Sequence, residues 1–269
     1  MSLWVLRGLR DGVVTTPWPK RPDSYAEAWR GPATVHDPHT VDAAGLDALC
    51  PTGAISATGG PQSAAVRLDQ GRCILCGRCV QERPDVFAWS EGATGPGAAA
   101  LTRDGLLVPD VPETDGVAGA VRARLRERTV ALRRSVHVRH VDAGSDGSEE
   151  WEILALLGPI YDIHRLGVFF TASPRHADIL LITGAGAAGM AGPLRTTYEA
   201  MPDPRVVIAI GTDAVSGGLL SESRPTTGGV SAIVPVDIWV PGSPPSPFGI
   251  LNALLIAVGR LGSGGKGTR

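Results

Sequence analysis

The sequence predicts an α+β unit followed by an α/β unit with a mostly parallel sheet, and two observations carry that division. All four cysteines fall between residues 50 and 79, among short segments broken by Gly and Pro. Beyond residue 135, short continuous apolar runs alternate with helical segments, as expected of strands buried on both faces. The reading divides the chain into an extended N-terminal segment (1–32), the cysteine unit (33–92), a linker (93–116), the α/β unit (117–261) and a disordered tail (262–269).

Residues 1–32 show no clear core pattern, and TTPWPKRP within them reads as a Pro-rich extended segment lying across another surface. In the cysteine unit, Cys50 is followed by Pro51, and Cys73, Cys76 and Cys79 form C-x2-C-x2-C. Bacterial-type ferredoxins carry C-x2-C-x2-C-x3-C-P, in which the fourth Cys serves the other of two clusters. A triplet plus a remote Cys-Pro is what remains when such a domain keeps one 4Fe–4S centre. Counting back from Cys50 by the same spacing lands on Thr40, Ala43 and Leu46; counting forward from Cys79 lands on Arg83, which still precedes Pro84. Both losses belong to one cluster, and the other keeps four thiolates. The unit is therefore expected to be ferredoxin-like, with Cys50, Cys73, Cys76 and Cys79 as iron ligands. Zinc fits less well, since its sites usually pair two C-x2-C motifs. Disulfides would need an oxidising compartment, and MSLWVLRGLRDG lacks the apolar run and cleavage site of a secretory signal.

Residues 93–116 read as a Gly/Pro linker with one short apolar piece, and 117–134 as a helix carrying Arg122, Arg124, Arg126, Arg128, Arg133 and Arg134. Expected strands in the α/β unit are Val136–Val141, Gly167–Thr171, Ala177–Thr183, Arg205–Gly211 and Ala232–Val240; expected helices are Glu149–Leu157, Pro193–Ala200 and Phe248–Leu261. In such sheets the working site lies at the carboxyl ends of the strands.

Composition excludes several classes. The net charge of −2 gives no global attraction to nucleic acid or anionic lipid, and no aromatic residues interleave the arginines to stack bases. The longest apolar stretches fall well short of the roughly twenty residues a spanning helix needs, so membrane association is expected only through partners. Gly184, Gly186 and Gly189 form a literal G-x-G-x-x-G after a strand, with Asp213 at a plausible distance for a ribose-binding acid. This NAD-binding alternative is weakened by Pro193 early in the following helix.

SVHVRHVDAGS, ALLGPIYDIHRLGVFFTASPRHADILLITGAGAAGM, YEAMPDPRVVIAIG and IVPVDIWVPGSPPSP occur in that order over residues 133–261. This stretch resembles the small subunit of energy-converting nickel–iron hydrogenases and formate hydrogenlyases, a relative of the 20 kDa subunit of respiratory complex I. The first ninety residues resemble the ferredoxin-like subunit of the same complexes. The resemblance implies a fusion of two subunits, with a flavodoxin-like second domain. It implies a 49 kDa-like large subunit and membrane-arm subunits as partners, on the cytoplasmic face of a membrane, with no nucleic acid and no span of its own.

The resemblance also implies a second 4Fe–4S site held by four cysteines from three loops, and here all four are replaced. The C-x2-C after DAGS is occupied by Asp146 and Glu149, the third position by Asp213, and the Cys of the VPG-C-PP motif by Ser243. Carboxylates and a hydroxyl do not build an ordinary cubane, because thiolates select such clusters. Either the pocket has lost its cofactor and is filled by hydrogen-bonded polar groups, or the three acids form an oxygen cage for Mg²⁺ or Ca²⁺ with Ser243 as a weak ligand. His137 and His140, placed H-x2-H on a strand, point to opposite faces, and they, His164 and His176 are expected to be structural. The expectation is an electron-transfer or structural subunit with one 4Fe–4S cluster and no catalytic site of its own, or alternatively a scaffold of an ion-translocating complex.

Overall fold

A computed structural model describes residues 3–36, 42, 45–60, 63–92, 98–109, 119–120, 123, 125, 127, 135–221 and 223–261. The expected tail at 262–269 and the arginines of the expected 117–134 helix lie outside these; the described residues 119, 120, 123, 125 and 127 are helical.

The N-terminal segment departs from the extended reading. Helix α1 spans Leu3–Asp11 and buries none of its residues, which is why no core pattern marks it. Gly12 follows it at φ 65°, and its N–H bonds back to the Gly8 carbonyl at 3.0 Å, a left-handed cap. The Pro-rich entry is extended as expected. The Thr15 hydroxyl donates to the Pro159 carbonyl at 2.8 Å and the Thr16 N–H to that of Ile160 at 2.8 Å. Trp18 packs edge-on against Phe248 at 6.1 Å, inside the core of the α/β unit. Asp23 then caps a short helix, α2 (Ser24–Ala28), through the Tyr25 N–H.

The cysteine unit is α+β. Strand β1 (Arg30–Val35) leads to α3 (Leu46–Leu49), the hairpin β2 (Ile55–Gly60) and β3 (Ser63–Asp69), α4 (Arg78–Glu82) and β4 (Phe87–Glu91). β1 pairs antiparallel with β4, and β2 with β3. The small core comprises Ala33, Leu46, Ala54, Ile55, Val66, Leu68, Val86 and Phe87, with Cys50, Cys73 and Cys79 packed against it.

The apolar piece of the expected linker joins both units. Ala100 forms a two-way antiparallel bridge with Trp239, and Leu101 and Leu106 are buried in the two cores of the α/β unit. Strand β5 (Leu107–Val108) then pairs with β3, extending that hairpin to three strands. The Arg103 guanidinium grips Asp69 with two hydrogen bonds of 2.8 and 2.6 Å, locking this crossing in place.

The α/β unit is built on five parallel strands in the order β10-β9-β8-β6-β7. In chain order they are β6 (Val136–Asp142), β7 (Val168–Phe170), β8 (Ile179–Thr183), β9 (Val206–Ile210) and β10 (Ile238–Val240). Every residue of β8 and β9 is buried, because helices cover both faces. Ile179 and Leu181 enter one core with α5 (Ser148–Ala155) and α8 (Pro247–Ala257); Leu180 and Ile182 enter the other with α6 (Ala191–Ala200) and α7 (Gly211–Ser216). Every residue of α8 is buried, which explains its unbroken apolar sequence. Strand β10 is much shorter than the expected Ala232–Val240, since 230–232 form a 3₁₀ turn and Pro235 cannot donate to a ladder. Among the described residues, no helix is long and apolar enough to cross a membrane.

Candidate functional site

The four cysteines converge on one cavity. Cys50 ends α3, Cys73 follows a 3₁₀ turn (Gln70–Arg72), Cys76 lies in the loop between, and Cys79 is in α4. The other walls are apolar and include Ala33, Leu49, Ile55, Leu68, Ile74 and Trp89. The loop fits because Leu75 and Gly77 take left-handed backbone, at φ 58° and 75°, curling the chain around the cavity. A Cβ on Gly77 would lie 2.8 Å from Trp89 Cζ2, so the indole closes over the loop only because position 77 has no side chain.

This setting is costly for bare thiolates. Burial, foremost, pushes the Cys73 thiol up and the Cys79 thiol up to about 11, and the neighbouring cysteines add to it. The Cys50 Sγ accepts from the Ala54 N–H at 3.3 Å and lies 3.3 Å from Thr52 Oγ1. Among the described residues, no three His, Cys, Asp or Glu side chains converge on a point that could hold one metal ion. The four cysteines line one largely apolar cavity, and Cys76 is the exposed member of the four.

Asp146, Glu149, Asp213 and Ser243 lie at the carboxyl edge of the parallel sheet. Asp146 and Glu149 follow β6, Asp213 lies in α7 just after β9, and Ser243 lies in the loop after β10. Glu149 is 1% exposed, and a Cβ on Gly211, whose φ is 91°, would lie 2.4 Å from its Oε1. The carboxyl thus rests directly on the β9–α7 turn. Burial pushes Glu149 up to about 7, with Asp213 and Asp146 contributing by charge repulsion; Asp213 is raised by burial and then by Asp146. Exposed Asp146 is lowered instead, because its Oδ1 accepts from the Ser148 hydroxyl at 2.6 Å and the Ser148 N–H at 2.9 Å. The three acids feel one another but do not surround a point, so the oxygen-cage alternative has no assembled ligand set.

Sequence reasoning missed Thr212. It is fully buried between the two sites, and its hydroxyl donates to the Cys73 carbonyl at 2.8 Å. The same oxygen accepts from the Gly242 N–H at 3.2 Å, and the Thr212 N–H donates to the Gly242 carbonyl at 2.7 Å. One residue thereby ties the cysteine loop to the loops carrying Asp213 and Ser243. A second group links β6, β8 and α5: Glu150 accepts from the hydroxyls of Ser145 (2.8 Å) and Thr183, and His140 Nε2 lies 3.0 Å from Thr183 Oγ1. No sequence motif flags Thr212, Glu150 or Thr183.

The other candidates have structural surroundings. Gly184 and Gly186 are left-handed, and a Cβ on Gly184 would lie 2.5 Å from the backbone of Gly144 and Ser145. On Gly186 it would lie 2.3 Å from Thr227 Oγ1. Close approach of the protein's own chain therefore accounts for glycine at 184 and 186, while Gly189 has open space. His137 and His164 pack against Phe169, at 6.1 and 5.3 Å between ring centres.

A family described as "NADH ubiquinone oxidoreductase, 20 Kd subunit" matches residues 147–257. Formate hydrogenlyase subunit 7 of Escherichia coli is 37% identical over 59% of this chain and 61% of its own length. The probable membrane-bound hydrogenase subunit mbhJ of Pyrococcus furiosus is 42% identical over 54% of this chain and 90% of its own. The NAD(P)H-quinone oxidoreductase subunit K 2 of a Cyanothece species is 39% identical over 38% of this chain and 40% of its own. The chain thus spans less than two thirds of the first and third of these relatives and nearly all of the second. Through its α/β unit, this chain belongs to the family of the NADH ubiquinone oxidoreductase 20 kDa subunit.

Proposed function

We propose that this chain is an electron-transfer subunit of a membrane-bound, hydrogenase-like or complex-I-like oxidoreductase, holding one 4Fe–4S cluster on Cys50, Cys73, Cys76 and Cys79. The observation that carries the reading is the meeting of these four thiols, from two separate stretches of chain, around one apolar cavity. Four thiolates lining one largely apolar cavity suit an iron–sulfur cluster, which thiolate ligands select, and the positive charge of its iron offsets what burial costs the thiolates. The pairing of β1 with β4 and β2 with β3 around the cysteines supports a ferredoxin-like unit.

When bound, such a cluster supplies one-electron transfer. The protein's own contribution is to hold and tune it. Largely apolar walls line the site, and the Ala54 N–H donates to the Cys50 sulfur, the kind of contact that sets a cluster's potential. The edge bearing Asp146, Glu149, Asp213 and Ser243 is a second cluster site that has lost its ligands. Electrons therefore have no second station within this chain. The partners we infer are a large subunit of the hydrogenase or 49 kDa type and membrane-arm subunits.

Anaerobic iron and sulfide analysis, with EPR of the dithionite-reduced protein, tests this on wild type and Cys76→Ala. About four irons per chain and a reduced-cluster signal, both lost in the variant, are expected for one cubane. Iron-free protein prepared anaerobically would overturn the cluster, and about eight irons would overturn the vacant second site.

A further inference from the structure

Cys50 precedes the β2–β3 hairpin and the run Cys73, Cys76, Cys79 follows it, and the hairpin's ladder stops short of both. Just beyond the paired strands, the Asp69 N–H still bonds the Ala54 carbonyl at 2.8 Å. Past that point one arm turns over residues 50–53, where the Gly53 N–H bonds the Cys50 carbonyl at 3.2 Å. The other arm winds into the 3₁₀ turn Gln70–Arg72. Strand pairing therefore no longer fixes where Cys50 stands relative to Cys73. Two side chains take over. Thr52, 7% exposed, donates its hydroxyl to the Arg72 carbonyl at 2.6 Å, and that carbonyl belongs to the peptide leading into Cys73. The same hydroxyl oxygen lies 3.3 Å from the Cys50 sulfur. In return Arg72 Nη1 donates to the Thr52 carbonyl at 3.4 Å, and a Cβ on Gly53 would lie 3.7 Å from that nitrogen. Asp69 steadies the guanidinium: its Oδ2 lies 3.7 Å from Arg72 Nε while accepting from Arg103 at 2.6 Å.

We propose that Thr52 and Arg72 are positioning residues, a reciprocal clamp that holds the Cys50 turn against the Cys73 loop at the separation one cluster requires. The proposal rests on the four cysteines holding a 4Fe–4S cluster, as inferred above. Neither residue is an iron ligand; each acts through the cysteine beside it. Each side chain bonds the other's backbone, so the two ligand-bearing arms are fixed to one another independently of the thiols. Ligands held in this way need little rearrangement when iron and sulfide enter, and partners of this kind outside the ligand set govern how tightly a metal centre is kept. Arg72 also brings charge. It adjoins Cys73 in the chain, and a cation close to a cluster favours the reduced form, which carries one more electron. Thr52 thus governs retention of the cluster, and Arg72 both its retention and its potential.

Iron release to a chelator from the anaerobically loaded full-length protein, followed with EPR of the reduced cluster, tests the clamp. Thr52→Val keeps the shape of the side chain without its hydroxyl. It should release iron roughly tenfold faster than wild type and change the line shape of the reduced signal. Thr52→Ser keeps the hydroxyl and should restore both, which a side chain that merely filled space would not do. Arg72→Gln should also release iron faster and should titrate at a lower midpoint potential than wild type, while Arg72→Lys stays near the wild-type potential. A loaded Thr52→Val protein with the wild-type release rate and signal would overturn the clamp and leave the cluster standing. So would a Thr52→Ser protein as leaky as Thr52→Val. If Thr52→Val does not fold, Arg72→Gln reads the same clamp from its half-exposed side, and a wild-type release rate there would overturn it. Wild type that takes up no iron overturns the cluster and the clamp together.

Discussion

The Thr212 hydroxyl donates to the Cys73 carbonyl across 2.8 Å, and this single bond joins the loop that holds the cysteines to the loop that carries Asp213. Thr212 is fully buried and its oxygen also accepts from the Gly242 N–H, so it serves both loops at once. A similar-sized apolar side chain would fill the space and strand both partners. Thr212→Val is therefore expected to lower the unfolding free energy by about 1–3 kcal/mol, the cost of leaving buried polar groups unpaired. Urea denaturation of iron-loaded protein checks this, and an unchanged midpoint would show that water replaces the hydroxyl.

Gly77 tests the cysteine loop itself. Its φ of 75° disfavours any L side chain, and a Cβ would strike the Trp89 ring at 2.8 Å. Gly77→Ala should therefore yield less iron per chain than wild type when both are loaded identically. Adding Trp89→Ala should relieve the clash but leave the backbone strain, so iron recovers only in part. Full recovery would mean that backbone handedness at this position is unimportant.

The acid pocket predicts a pH dependence. Burial lifts the Glu149 carboxyl to about 7 in the folded chain, well above its value when unfolded, and Asp213 shifts in the same direction. Between the ordinary Glu range and about 7, the folded state keeps a proton that the unfolded state has released. Stability at this site is therefore greatest below that window, falls as pH rises through it, and levels off above it. Glu149→Gln keeps the shape without the charge, so it should flatten the slope and gain most over wild type above neutral pH. Denaturation curves at acidic and alkaline pH decide it; parallel slopes in the two proteins would show that Glu149 is solvated when ionised.

How far the sequence could be read depends on what each segment packs against. β8 and β9 were legible because strands buried on both faces must be apolar throughout, and α8 because it is buried all round. α7 was missed: it is a six-residue helix opening on Gly211, held by its contacts rather than by helix propensity. α1 was missed for the opposite reason, since a helix that buries nothing leaves no core pattern to find. Cysteine spacing foreshadowed the meeting of the four thiols. The Thr212 bridge was not foreshadowed, because an isolated Thr after a strand looks the same whether or not another loop docks on it.

The acid edge makes the sharpest demand on the proposed history of the site. If Asp146, Glu149, Asp213 and Ser243 stand where thiolate ligands once stood, the surrounding loops should still tolerate a cluster. The loops after β6, β9 and β10 still meet at one edge, joined by the Thr212–Gly242 bonds and the contact of Glu149 with Gly211. Replacing all four residues by Cys also removes the buried carboxyl groups of Glu149 and Asp213, both raised chiefly by burial. The quadruple variant should therefore fold and, after anaerobic reconstitution, rise from about four to about eight irons per chain, with a second reduced-cluster EPR signal. Spin coupling between the signals would report their closeness, since the Cys73 loop and α7 share a hydrogen bond. A folded quadruple variant that stays at the wild-type iron content would mean that the edge has been rebuilt beyond the loss of its ligands.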